Sequence, residues 1–304
     1  MRPWMARVAL IPVLLWVVAT LSFFLLRAVP GGPFDRERAP ASREVEAALK
    51  ARYHWDEPLW RQYGRYLGNV MHGDLGPSLK YRNHSVNDLL GQTVPVSLAL
   101  GGMAFGVAIG LGIPLGVLAA LKRGGWADYA AAGLTLVGVC VPVFVLGPLL
   151  VLVLGLWLEW FPVALWGSWQ NAVLPTLTLG LYFAARVARW MREGMIEVLR
   201  SPHVQTARAK GLSETAVILR HVVPVALVPV ISYTGPMLAD LLTGSFVVEN
   251  VFQIPGTGAF FINSFFSRDY TMMMGMVLFY SLLLQVLNLF SDLLLRWVDP
   301  RVGS

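Results

Sequence analysis

Three histidines, His54, His72 and His84, one cysteine, Cys140, and two acids set in apolar runs, Asp240 and Asp292, are the side chains best placed to do chemistry in this sequence. The histidine spacing matches no zinc-ligand pattern, so no metal is expected. Cys140 has no second cysteine to pair with and lies in an apolar run, where a buried packing role is expected. Asp292 falls near the end of its run, which suits a polar or capping role. Asp240 lies deep inside one. A carboxylate turned to lipid costs about 2.5–3.5 kcal/mol on insertion scales, so Asp240 should face other helices or a water-filled path. Ser245 in the same run is a second candidate for lining such a path. Two readings of Asp240 stay open: a path-lining charge, or a hydrogen-bonded carboxyl that ties its helix to a neighbour.

A second kind of site is the polar island Val204-Gln205-Thr206-Ala207-Arg208-Ala209-Lys210-Gly211-Leu212, which continues to His221-Val222-Val223-Pro224 between two long apolar runs. Thr206, Ala207 and Ala209 are small and predict a thin-walled helix. Gly211 can end it in the left-handed geometry that closes helices. Ser213 can cap a second helix, with Glu214 in its first turn favoured by the helix dipole. Pro224 marks the return to apolar sequence. The shape predicted is helix, tight turn, helix. From physics alone it is either an ordinary loop or a docking surface.

The elements around these residues are membrane spans. The sequence is 56% hydrophobic and only 14% charged, whereas soluble domains are about a quarter charged. The net charge of +6 is a topological signal rather than a nucleic-acid one, because the basic residues flank apolar runs. Spans are predicted at Val8–Leu26, Val94–Leu121, Tyr129–Leu158, Ala172–Ala185, Val225–Val248 and Met272–Leu295. The run at Val8–Leu26 is too long for a signal-peptide core, so it is read as an uncleaved span. Residues 34–93 form the only long polar region. Ser42 can cap a helix bearing Val45, Leu49 and Tyr53, and Trp60, Tyr63, Leu67 and Val70 mark an amphipathic helix resting on the membrane or on neighbouring spans. Three domains result: 1–33, the extracytoplasmic helical loop 34–93, and a core 94–304 with its cytoplasmic loop at about 190–223. Gly102, Gly106 and Gly110, and Gly112, Gly116 and Ala120, form smooth ridges for close helix packing. Between Arg186 and Arg220 there are seven Lys/Arg and three Asp/Glu, which places this stretch in the cytoplasm. The fold class predicted is an all-α polytopic membrane protein with six spans and both termini cytoplasmic.

No Gly-x-x-x-x-Gly-Lys-Ser/Thr phosphate loop, His-Glu-x-x-His helix or Gly-x-Ser-x-Gly elbow is present. No catalytic constellation is visible, and a membrane-embedded enzyme is the remote alternative. The polar island resembles the cytoplasmic coupling motif of ABC importer permeases. Gln205-Thr206-Ala207 stand at its Glu-Ala-Ala positions, Gly211 at its glycine and Pro224 at its proline. Thr-Ala-Arg-Ala-Lys-Gly-Leu is similar to the form in the oligopeptide and dipeptide permease branch. His72-Gly73-Asp74-Leu75-Gly76-Pro77-Ser78-Leu79-Lys80-Tyr81, Ser85-Val86-Asn87-Asp88-Leu89, Val248-Glu249 with Pro255-Gly256-Thr257-Gly258, Arg268-Asp269-Tyr270 and Asp299-Pro300-Arg301 also resemble family patterns, closer to the oligopeptide subunit. Asp240 departs from them. The resemblance implies the type I ABC importer permease fold in the bacterial inner membrane. It also implies a second, similar permease as partner in a heterodimer embedded in lipid, two ATPase subunits gripping Gln205–Leu212, and an extracytoplasmic protein delivering peptide. ATP and Mg2+ would belong to the ATPases, with no cofactor in this chain and no nucleic-acid partner. Apart from the resemblance, the lone acid deep in its span motivates the expectation that Asp240, with Ser245, lines the translocation path and favours cationic or N-terminally charged peptides, while Glu249, Pro255, Gly256 and Gly258 are expected in an extracytoplasmic turn. Dipeptides, nickel chelates or another small solute are the alternative cargoes.

Charge bias places Lys122 and Gly211 inside, and Ser78 and Trp166 outside. In a Cys140→Ser background, Trp166→Cys should react with an impermeant thiol reagent added to intact cells, and Gly211→Cys should not. Labelling at 211 from outside would overturn this topology.

Overall fold

The computed structural model describes residues 3–29, 55–81 and 83–298. The helix expected after Ser42, His54, and the Asp299-Pro300-Arg301 tail lie outside the described residues. The described chain is helical, with one isolated antiparallel bridge between Pro77 and Ser85. Its helices are α1 (Pro3–Ala28), α2 (Leu59–Met71), α3 (Val86–Leu121), α4 (Trp126–Cys140), α5 (Val143–Leu150), α6 (Trp169–Val198), α7 (Pro202–Ala209), α8 (Glu214–Val217), α9 (Val223–Ala226), α10 (Val228–Val251), α11 (Thr257–Phe266) and α12 (Tyr270–Val298). Segments Val151–Trp157 and Ile218–Val222 have π-helical geometry. Among the described residues, three stretches are long and apolar enough to cross a membrane by themselves: Val8–Ala28, Val86–Leu121 and Tyr270–Arg296. Glu214–Ala226 and Val228–Val251 would do so together across a 45° bend. Pro224 and Pro229 flank that bend, each removing a backbone donor from the ladder where the π segment has already loosened it.

The chain forms two compact units. One comprises residues 1–95 and 259–283. In it the amphipathic helix α2 rests on α1. Tyr63 Oη lies 2.7 Å from Thr20 Oγ1, Tyr66 stacks on Phe23 at 5.6 Å, and the Arg27 guanidinium sits 3.8 Å from the Trp55 ring centroid. Trp60, on the face expected to rest on the membrane or on neighbouring spans, is 67% exposed in this chain, and Tyr66, outside that set, packs on Phe23. The second helix of the membrane core starts at Val86 rather than Val94. Ser85 and Asp88 form a reciprocal capping box there: the Ser85 amide donates to Asp88 Oδ2 at 2.9 Å, and the Asp88 amide donates to Ser85 Oγ at 3.1 Å. Asp269 is fully buried and accepts from Ser78 Oγ and from the amides of Lys80 and Met272. Two sequence stretches that had looked unrelated are thus fastened together.

The other unit comprises residues 96–258 and 284–304. Helix α6 is central to it. Leu174, Leu179, Val187, Met191 and Met195 are at most 1% exposed, packed with Leu100, Ala104, Ala108, Met237 and Leu241. One glycine ridge of α3 makes this contact possible. A Cβ on Gly112 would sit 2.8 Å from the Ala184 carbonyl oxygen, and one on Gly116 would sit 2.6 Å from that of Ala188. The ridge of Gly102, Gly106 and Gly110 meets nothing within 4 Å of the positions a Cβ would take. At the end of α3, Gly124 turns the chain at φ 76°, and Asp128 receives its amide at 3.0 Å. Arg192 grips the same carboxylate with both prongs, at 2.7 and 3.0 Å. Those guanidinium bonds first, and the Gly124 amide second, hold the Asp128 carboxyl at about 2. A depressed acid stabilises the fold above its ordinary value of 3.8, and that contribution is lost as pH falls toward 2.

The predicted third span is not one helix. It breaks at Val141-Pro142, continues as α5 and ends in the π segment, because Pro142 and Pro148 each remove a ladder donor. Helix α11, ten residues long, was not anticipated; its first two residues, Thr257 and Gly258, had been read as part of an outer turn. Cys140 is exposed rather than buried, at the break where α4 stops. The α3–α6 contact predicts that Gly116→Val lowers the thermal unfolding temperature of the detergent-purified protein, by overpacking worth about 1–3 kcal/mol. Gly106→Ala should leave it unchanged or raise it. Equal behaviour of the two variants would refute the close approach.

Candidate functional site

The polar island folds as its residues dictate. Pro202 stands at the first helical position of α7, where its missing amide hydrogen is harmless. Val204 and Ala207 point into the core cluster with Met195, Val198, Val217 and Val222. Gln205, Thr206, Arg208, Ala209, Lys210, Gly211 and Leu212 are exposed. Ala207 is buried and seats the helix on that cluster. Gly211 has φ 77°. Its amide donates to the Arg208 carbonyl at 2.9 Å and that of Leu212 to the Ala207 carbonyl at 3.4 Å, the paired bonds of a Schellman cap. Ser213 caps α8, accepting from the Ala216 amide at 3.4 Å. Arg208 spans the turn to Glu214 with bonds of 3.0 and 2.6 Å. So exposed a pair adds little to stability, and it ties the end of α7 to the start of α8 across the turn. Pro224 is exposed beyond the π segment.

A second cluster sits at the far end of α10. The helix runs on to Val251, so Glu249 belongs to its last turns rather than to the turn predicted from sequence. The Glu249 side chain is fully buried. Its Oε1 accepts from Ser97 Oγ at 2.7 Å and lies 2.8 Å from Ser245 Oγ, and its Oε2 accepts from the Gly258 amide at 2.7 Å. Ser97 Oγ in turn accepts from the Thr257 amide at 2.9 Å. The chain beyond α10 wraps so tightly that a Cβ on Gly256 would lie 2.4 Å from the carboxylate, and one on Gly258 would lie 2.4 Å from Phe246. Pro255 is exposed at the outside of the bend, while Phe252 and Ile254 plug into the core. Ser245, expected beside Asp240 on an open path, is thus buried and occupied with Glu249 and with the Leu242 carbonyl. The sequence showed Glu249 and the glycines as one motif. The role of Ser97 left no signal, being set by a helix 152 residues away.

Asp240 lies on the exposed face of α10 with Ser232 and Pro236. Tyr233 Oη donates to its Oδ2 at 3.2 Å and accepts from Arg186 Nη1 of α6 at 3.2 Å. Arg186 and Tyr233 were not anticipated as partners of Asp240. Tyr233 stands two helical turns before it, and Arg186 was counted only as a topogenic charge. Among the described residues, no group of three His, Cys, Asp or Glu side chains could hold a metal ion.

Solved structures share this architecture. A chain of the inward-facing methionine ABC transporter MetNI superposes with TM-score 0.59 at 18% identity, covering 69% of this chain and 96% of its own. A chain of an amino acid ABC transporter with histidines gives TM-score 0.52 at 15% identity, covering 71% and 94%. The fold is therefore that of an ABC importer permease. Residues 112–304 match the model of the family described as binding-protein-dependent transport system inner membrane component. The Oligopeptide transport system permease protein OppB of Haemophilus influenzae is 43% identical over 290 residues, 95% of this chain and 94% of that one. The Dipeptide transport system permease protein DppB of Bacillus subtilis is 43% identical over 286 residues, 94% and 92%. This chain belongs to the binding-protein-dependent permease family, and it is a multi-pass protein of the bacterial inner membrane.

The Glu249 cluster sets a stability test. Glu249→Ala strands the donors of Ser97 and Gly258 in a buried site, at roughly 1–3 kcal/mol for each group left unpaired. Glu249→Gln keeps an acceptor for one of them. The alanine variant should unfold at a clearly lower temperature in detergent than the glutamine variant, and the parent should be highest. An alanine variant as stable as the parent would refute the assignment.

Proposed function

We propose that this chain is one of two homologous permease subunits of an ATP-driven importer of oligopeptides. The observation that carries this reading is the near full-length likeness to peptide-transport permeases. Because oligopeptide and dipeptide permeases match it equally well, dipeptides are the second cargo. In this reading six spans cross the inner membrane with both termini in the cytoplasm. The domains are 1–33, the extracytoplasmic loop 34–93 and the core 94–304. An extracytoplasmic binding protein delivers the peptide, and two ATPase subunits bind ATP with Mg2+ and hydrolyse it. The exposed face of α7 and its turn, Gln205, Thr206, Arg208, Ala209, Lys210, Gly211 and Leu212, docks on an ATPase, with Ala207 seating the helix from below and Pro224 starting the return. ATP binding closes the ATPase pair and pulls these helices, opening the path outward. Hydrolysis resets it inward. The exposed α10 face carrying Asp240 belongs to the solute path, because a carboxylate there is too costly against lipid.

A Cβ at Gly211 would meet nothing within 4 Å of this chain. Gly211→Trp therefore tests an outside surface, and Gly211→Asn, which tolerates positive φ, controls for backbone strain. In proteoliposomes holding the assembled importer, Gly211→Trp should abolish ATP-dependent peptide uptake while Gly211→Asn keeps most of it. Uptake at the parent rate with tryptophan would reject docking at this turn.

A further inference from the structure

The hydrogen-bonded chain between α6 and α10 joins a cation to an anion through one phenol. Arg186 Nη1 donates to Tyr233 Oη at 3.2 Å, and Tyr233 Oη donates to Asp240 Oδ2 at 3.2 Å. Arg186 Nη2 donates to Tyr182 Oη, and the guanidinium lies 4.6 Å from that ring's centroid. Trp190 stands edge-on to Tyr233 at 3.9 Å. Tyr182, Arg186 and Trp190 follow one another at helical i, i+4 spacing, so they share a face of α6. Tyr233 and Asp240 share a face of α10. Asp240 is exposed and the other four are half-buried.

Three features suit this chain to exchange rather than to permanent bracing. The phenol-to-carboxylate bond, at 3.2 Å, is long for O–H···O, which centres at about 2.7–2.8 Å, and the guanidinium-to-phenol bond, also 3.2 Å, sits at the long edge of the N–H···O range. Arg186 and Asp240 are held apart by the phenol, so the strongest bond open to each, a charge-assisted one, is not made between them. Tyr233 can donate and accept, so it can keep either neighbour when the other leaves. An incoming carboxylate would outbid a phenol at Arg186, and an incoming ammonium would do so at Asp240. With the site empty the two charges offset each other across the phenol, and a path should not trap what it must release.

We infer that Arg186 and Asp240, bridged by Tyr233, form a site in the solute path for the charged ends of a short zwitterionic peptide, the carboxylate at Arg186 and the ammonium at Asp240. The inference rests on the peptide-import reading above and adds a specificity that reading lacks. Both termini are recognised here by the permease itself, after release from the binding protein. Side chains are left to the flanking aromatics Tyr182 and Trp190, which impose no charge preference.

The test uses the complete importer in proteoliposomes and three trialanine peptides: free at both ends, N-acetylated, and C-amidated. Binding protein is supplied at saturation for each, and its affinity for each is measured separately. Asp240→Asn should lower uptake of the free peptide about tenfold relative to the N-acetylated one. Arg186→Gln should lower it about tenfold relative to the amide, the loss expected for one charge-assisted bond. Arg186→Lys should restore most of the discrimination, and Tyr233→Phe, which keeps the ring against Trp190, should preserve both preferences. The amount of assembled complex is measured for every variant. If each variant lowers all three peptides in one ratio, or in step with assembly, the chain is a brace between helices and the inference is wrong. If the parent importer carries none of the three peptides, the peptide reading falls and this inference with it.

Discussion

A carboxylate shut away from water must be met by donors within the chain, and Glu249 draws hydroxyls and an amide to itself from separate segments. Ser97 comes from α3, Ser245 from the preceding turn of α10, and the Gly258 amide from the start of α11. Removing any one donor leaves part of a fully buried carboxyl unmatched, so the three segments hold position together. The same demand explains Gly256 and Gly258. The backbone must come so near the carboxylate that there is no space for a side chain. Asp269 repeats this device within the other unit, where it binds Ser78 and the backbone around it. At these two places buried acids with neutral donors fasten non-helical segments, whereas the turns at Gly124 and Gly211 carry ion pairs.

The polar helix turn uses a different economy. Its fixed points are local: a proline at the start, a Schellman cap at Gly211, a serine cap at Ser213, and two small apolar side chains turned inward. The caps act within six residues, while Val204 and Ala207 anchor the turn to the core cluster with Met195, Val217 and Val222. The adjoining π segment and the bend at Leu227 have the opposite character, since prolines there leave the backbone ladder incomplete.

What could be read from the residues alone followed this division. Gly211, Ser213 and Glu214 were legible because caps and turns depend on neighbours in sequence. The glycines of α3 announced a close contact, but not which ridge makes it. Gly112 and Gly116 face α6, while a Cβ at Gly102, Gly106 or Gly110 would meet nothing within 4 Å among the described residues, and both series look alike as spacing. The start of α3 at Val86 was missed because the search followed apolarity, whereas the Ser85–Asp88 capping box sets the boundary in polar sequence. Asp240 was visible as an anomaly. Its partners were not, because the bond from Arg186 to Tyr233 crosses 47 residues and leaves no periodic trace.

The contact between α3 and α6 also restricts kinematics. With Gly112 and Gly116 set directly against the backbone of α6, sliding one helix along the other by a single residue would carry a neighbouring Cβ into a carbonyl oxygen. Translation along the axis is therefore blocked, whereas a small roll about the line of contact is not. The pair has one soft degree of freedom where two free rods would have several. A rearrangement that moves α3 against α6 is therefore expressed as that roll.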